Sequence, residues 1–139
     1  MRALLIPLLM LGCGAAQTHP EDDLAESIRQ FNDGVRWGRY EVAASSIPPL
    51  QRAQFVDDMD ERGDDLKITD YDIVKVDPHG SREARVQIKI GWYKTSEGTV
   101  HETHAQQTWE RQGKTWLMVE EKRLRGTEMP GLSESVMKD

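Results

Sequence analysis

Apolar residues change their spacing once along this chain, near Asp64-Asp65, and that change divides it into helices followed by strands. Leu24, Ile28, Phe31 and Val35 stand four, three and four positions apart, which is one apolar stripe of an amphipathic helix. Thr18 with Glu21 fits a capping box ahead of it, and Pro20 suits a first helical turn. Gly34 weakens the helix end, and Trp37-Gly38-Arg39 reads as a break. A second, short helix carries Tyr40, Ala43, Ala44 and Ile47. Pro48-Pro49 ends it and starts a third, with Leu50, Ala53, Val56 and Met59 as its expected apolar side, until Gly63.

From Leu66 to Val76 the chain is rich in β-branched residues, and its alternation slips near Thr69-Asp70, where a bulge is expected. Asp77-Pro78-His79-Gly80 reads as a turn. Ala84, Val86, Ile88, Ile90 and Trp92 then alternate with Arg85, Gln87, Lys89 and Tyr93, the strongest strand signal here. Val100 to Arg111 and Lys114 to Arg123 supply two more strands. Glu97-Gly98 and Gln112-Gly113 are the expected two-residue hairpin loops. Counting from those loops sets Trp92 opposite Thr103, Ile88 opposite Gln107, Trp109 opposite Trp116 and Ala105 opposite Glu120. One face then carries Val86, Ile88, Ile90, Trp92, Ala105, Trp109, Trp116 and Met118, with Thr103, Gln107 and Glu120 among them. The other face is charged and polar. A slip of one residue in either loop would invert the assignment.

The N-terminus carries an address. Met-Arg precedes an apolar run from Ala3 to Leu11, followed by Gly12 and the only cysteine, Cys13. This is the layout of a secretory signal, and Met10-Leu11-Gly12-Cys13 resembles the lipobox of bacterial lipoproteins. That resemblance implies cleavage before Cys13 and lipid attachment to it, which accounts for a lone cysteine in an exported chain. The apolar run is too short to span a bilayer. Gly14 after the cysteine, by resemblance to Gram-negative lipoproteins, implies an outer-membrane anchor facing the periplasm. Residues 1–12 are then signal peptide, 13–21 the lipidated cysteine and tether, 22–125 one domain, and 126–139 a disordered tail of low apolar content. The formal charge of −6 and the absence of a basic patch exclude nucleic acid as a partner. Anionic headgroups would repel the same surface, so membrane attachment rests on the lipid.

Helix, break, helix and a curved antiparallel sheet closed by a Trp-rich hairpin resemble the NTF2-like fold. The residues that carry the likeness are Phe31-Asn32-Asp33-Gly34-Val35-Arg36-Trp37-Gly38-Arg39-Tyr40 and Trp109-Glu110-Arg111-Gln112-Gly113-Lys114-Thr115-Trp116. The helical part also resembles small envelope lipoproteins of this fold from Gram-negative bacteria. The resemblance implies an α+β cone, with N-terminal helices packed on the sheet around a conical pocket. In some members, such as ketosteroid isomerase and scytalone dehydratase, that pocket is catalytic; many others only bind a ligand or a protein.

The candidate pocket is formed by Trp92, Thr103, Gln107, Trp109, Trp116, Met118 and Glu120, apolar walls with a few polar groups as a ligand site needs. The simpler reading of the same residues is a filled core with Glu120 at a solvated rim. No second polarising group accompanies Glu120 on its face, so catalysis is the weaker expectation and the catalytic residues stay unassigned. His101 and His104 point to opposite faces of a strand and cannot share a metal. Asp57-Asp58-Met59-Asp60-Glu61 lacks the glycine-centred spacing of a calcium loop. No phosphate loop, nucleophile elbow or cofactor motif occurs, so no metal or cofactor is expected. The sequence thus reads as a lipid-anchored envelope protein whose non-catalytic domain binds a protein partner or a small apolar ligand. The alternative is a small-molecule enzyme or carrier with Glu120 as acid or base. A sheet-to-sheet homodimer, common in this fold, would have to desolvate or cross-pair Arg85, Lys89, Glu102 and Glu110.

Overall fold

The computed structural model describes residues 20–134. The signal segment, Cys13, most of the tether and residues 135–139 lie outside the described residues. The order is helix α1 (Pro20–Arg36), helix α2 (Tyr40–Ala44), a 3-10 turn (Pro49–Gln51), helix α3 (Arg52–Gly63) and strands β1 (Leu66–His79), β2 (Glu83–Lys94), β3 (Val100–Gln112), β4 (Thr115–Gly126) and β5 (Ser133–Glu134). Strands β1 to β4 form an antiparallel meander, and β5 adds to β4 in parallel. The α+β architecture, with helices against one face of a curved sheet, is the one expected.

The α1 stripe packs as its period predicts. Leu24, Ile28 and Phe31 are buried against Val86, Ile88, Ile90 and Trp109. Phe31 meets Trp109 edge to face, with ring centroids 5.9 Å apart at 83°. The third helix differs from expectation. Leu50 is fully exposed (100%) and Phe55 turns inward, while Met59 lines the interior as expected. The 3-10 turn takes up Leu50, so α3 starts at Arg52 and its inward face falls on positions 55, 59 and 62.

Both hairpins depart from the expected register. At β2–β3 the pairs are Trp92↔His101, Ile90↔Thr103, Ile88↔Ala105 and Val86↔Gln107, a shift of two that leaves each face unchanged. The loop is longer than two residues because Thr95 and Ser96 are drawn to Asp65. Thr95 Oγ1 and Ser96 N donate to its carboxylate at 2.8 and 2.9 Å. At β3–β4 the loop is Gly113-Lys114, with Gln112↔Thr115 as the closing pair. Of the two loop residues only Gly113 takes positive φ (63°), and among the described residues no non-glycine does. A turn with glycine at its first central position needs only that one residue in the left-handed region.

The bulge expected near Thr69-Asp70 is present, between Ile68 and Asp70, and a second lies between Ile73 and Lys75. Pro78 belongs to β1 rather than to a turn, which an edge strand tolerates. Strands β3 and β4 also slip, between Thr108 and Trp109 and again between His104 and Ala105. The first slip inserts Val119 as an unpaired residue, and a one-residue insertion reverses the facing of every residue beyond it. Glu120 therefore pairs with Thr108 and is exposed, while Glu121 pairs with Gln107 on the inner face. Glu120 does not face the helices.

The segment after Gly126, expected to be disordered, is packed through residue 134. Met129 is buried and Leu132 packs on the core. Thr127 is tied to β3, and Arg123 holds Glu134 through three contacts of 2.7 to 3.0 Å.

Candidate functional site

A cavity of about 290 Å³ lies between α1, α3, β1 and the C-terminal segment. The apolar part of its lining comes from Phe31 and Val35 of α1, Phe55 of α3, Ile68 and Tyr71 of β1, and Met129 and Leu132 of the C-terminal segment. The alternation of β1 and the stripe of α1 put these side chains on facing surfaces. Strand β1 carries two bulges beside this space, between Ile68 and Asp70 and between Ile73 and Lys75. The space is small for a ligand site but within reach of the usual range.

Polar groups enter at defined points. Asn32, one turn from Ile28, turns toward the sheet and exchanges hydrogen bonds with Gln107. Gln107 Nε2 donates to Asn32 Oδ1 at 2.9 Å, and Asn32 Nδ2 donates to Gln107 Oε1 at 3.3 Å and to Ile28 O at 2.8 Å. Gln107 Nε2 also donates to Glu121 Oε2 at 2.6 Å, and Trp109 Nε1 donates to Gln107 Oε1 at 3.2 Å. Among the described residues no buried side-chain polar atom lacks a partner, so this network is satisfied as buried polar groups require. Asn32 and Glu121 border the cavity.

Glu121 is half-buried as a residue, with its side chain edging the cavity, but its carboxyl group lies deep among protein atoms. Burial pushes that carboxyl above the usual carboxylate range; the Gln107 hydrogen bond and the positive charge of Arg62 partly oppose the shift. On the wall, Tyr71 OH donates to Asp33 Oδ1 at 2.5 Å, joining β1 to α1. Burial, then this bond, push the tyrosine up to about 12. Three cationic residues, Arg36, Arg62 and Lys67, also line the cavity, and Trp37 stands at its rim, 62% exposed.

The residues singled out from the sequence are distributed differently. Trp92, Thr103, Gln107, Trp109, Trp116 and Met118 are all buried, and none of them lines this cavity. Trp92 Nε1 donates to Thr103 Oγ1 at 2.8 Å, and that hydroxyl donates on to Thr127 O at 2.5 Å. The tryptophans are interior packing. Met118 and Glu120 border a separate, more open groove beside α3. Asn32 lay within the segment that resembles the NTF2-like fold; Tyr71, Arg62, Glu121 and Leu132 carried no motif. The signal that could have found Glu121 was a bulge, and a bulge at Val119 interrupts no visible alternation.

His101 and His104 lie on opposite faces of β3. His101 stacks on Trp92 with centroids 4.6 Å apart, while His104 lies beside Glu102 on the other face. Among the described residues no group of three or more His, Cys, Asp or Glu could hold a metal ion. Among the described residues no helix is long and apolar enough to cross a membrane.

No family model and no curated protein matches the sequence. Solved structures match the fold. The solution structure of a SEC-C motif containing protein from Rhodopseudomonas palustris aligns with a TM-score of 0.61 at 12% identity, over 81% of this chain and 96% of that one. A putative scytalone dehydratase from Novosphingobium aromaticivorans aligns at 0.59 and 11% identity, over 86% and 94%. A conserved protein from Planctomyces limnophilus aligns at 0.54 and 14% identity, over 75% and 97%. The chain has an NTF2-like fold. Identities this low speak to fold and not to activity.

Proposed function

We propose that this NTF2-like domain is a ligand-binding module, presented in the bacterial envelope on a lipidated Cys13. The supporting observation is the cavity itself, which combines apolar side chains with polar and charged ones, among them Asn32 and Glu121, whose hydrogen bonds are already satisfied. A preformed apolar space with a few fixed polar groups binds a small molecule without reorganising the fold. The anchor reading rests on Met10-Leu11-Gly12-Cys13, and its test is palmitate labelling that disappears in Cys13→Ser.

Native mass spectrometry tests the binding reading. Residues 14–139, which contain every described element, are exported behind a cleavable signal peptide and purified from the periplasm of a Gram-negative host. The reading expects a retained small mass that is lost in Val35→Trp, a change that fills the cavity from α1. A mass retained equally by that variant, or no retained mass in any preparation, speaks against it.

One observation favours a second, enzymatic reading. A carboxyl in a partly apolar cavity with an elevated pKa is the usual form of a general acid or base. That role falls to Glu121 and not to Glu120. It expects a turnover that Glu121→Gln abolishes while leaving the fold intact.

A further inference from the structure

Arg36, Arg62 and Lys67 reach the cavity from three separate places, the ends of α1 and α3 and the start of β1. Within the cavity lining these three cations face a single acidic residue, Glu121. Elsewhere cations of the sheet sit beside carboxylates: Lys89 with Asp72, Arg85 with Glu83, Lys94 with Glu97 and Arg123 with Glu134. Among the described residues no carboxylate lies at ion-pair distance from the three cavity cations. The Arg36 guanidinium lies 4.6 Å from the centroid of Trp37, Arg62 Nη1 contacts Met59 Sδ at 3.3 Å, and Lys67 Nζ donates to Gly63 O at 2.7 Å. None of these contacts neutralises charge.

Arg62 also packs closely on the C-terminal segment. Its guanidinium occupies the position where a side chain at residue 131 would begin, and residue 131 is glycine at φ +90°. Asp60 and Asp64 act on the lining residue Tyr40, and Asp58, Glu61 and Asp65 share a neighbouring groove with Arg62, but none of these five lines the cavity. Glu121 is the one acidic residue of the lining and accepts from Gln107, while Asp33, behind the wall, accepts from Tyr71.

We propose that the cavity takes a small amphipathic anion. Its apolar body sits among Phe31, Tyr71 and Ile90, and its single negative head sits among Arg36, Arg62 and Lys67. A volume of 290 Å³ holds about ten non-hydrogen atoms at the share of space one occupies in liquid water. A short fatty acid or an aromatic monocarboxylate has that size and charge. A cation in a partly desolvated site attracts such a head more strongly than it would in water. The inference rests on the ligand-binding reading above and adds the head group to it.

Three probes with the same chain separate the two claims: octanoate, 1-octanol and octylammonium, titrated calorimetrically into residues 14–139. Octanoate is expected to bind at least about tenfold tighter than octanol, a difference of about 1.4 kcal/mol. Lys67→Gln and Arg62→Gln are each expected to weaken octanoate several-fold and to leave octanol unchanged. Lys67 is exposed, so its variant tests the charge with little risk to the fold. Equal binding of octanoate and octanol, or tightest binding of octylammonium, would overturn the anion inference while leaving the pocket. Failure of all three to bind would remove both.

Discussion

Gln107 on β3 donates a 2.6 Å hydrogen bond to Glu121 on β4, across a pairing that an unbulged hairpin would have given to Glu120 or a residue before it. This pair ties Glu121, a residue of the cavity lining, to the buried Gln107. One nitrogen of Gln107 serves both Glu121 and Asn32, so helix α1 and strand β4 are joined through a single side chain.

Glu121 makes stability depend on pH. Its folded pKa lies above the ordinary value of 4.5, so the folded state holds its proton more tightly than the unfolded state. The contribution is fully present below about pH 4.5 and is lost as pH rises through the folded pKa. Glu121→Gln keeps an acceptor for Gln107 without the charge. Its melting temperature should match the wild type at about pH 4.5 and exceed it increasingly toward pH 8. A difference independent of pH would contradict this. Asp65 and Glu134, lowered by hydrogen bonds from Ser96 and Arg123, act in the opposite direction at lower pH and are common to both proteins.

Thr103 links Trp92 to the C-terminal segment through one hydroxyl. Thr103→Val keeps the shape and leaves the buried indole N–H without an acceptor. Urea denaturation should show a loss of roughly 1–3 kcal/mol. A loss below about 0.5 kcal/mol would mean the link contributes little.

Trp109 is fully buried and stacked edge to face on Phe31. Trp109→Ala should lower stability by roughly 3–5 kcal/mol. Octanoate affinity, measured where the variant is folded, should fall far less than in Lys67→Gln. Loss of binding with stability unchanged would restore the tryptophans as the site.

Gly131 has φ +90° and lies under the Arg62 guanidinium. Gly131→Ala should cost roughly 1–3 kcal/mol through backbone strain alone and should displace Arg62. Limited proteolysis should then cut between Thr127 and Ser133 faster than in the wild type. An unchanged cleavage rate would contradict a packed C-terminal segment.

The periods of α1 and β2 were legible because each side chain there is either core or solvent. The register of the hairpins was not, since Asp65 is remote in sequence from the Thr95-Ser96 loop it lengthens. A shift of two left the inner face of β2 intact, so the core was readable even where the pairing was not. A single unpaired residue, Val119, moved the acidic residue of the site by one position. The order of the C-terminal segment is hidden in the sequence because Met129 and Leu132 are too few to form a core alone; they add to one already built.

The most direct measurement is a ¹H–¹⁵N spectrum of the tryptophan indoles during an octanoate titration. The chain has four tryptophans, of which only Trp37 borders the cavity. The account predicts that the Trp37 indole signal moves most, with Val35, Ile68 and Leu132 amides following, while Trp92 and Trp116 hold still. Movement centred on Trp92, Trp109 and Trp116, with Trp37 unchanged, would place the ligand in the tryptophan cluster and contradict the cavity as the site.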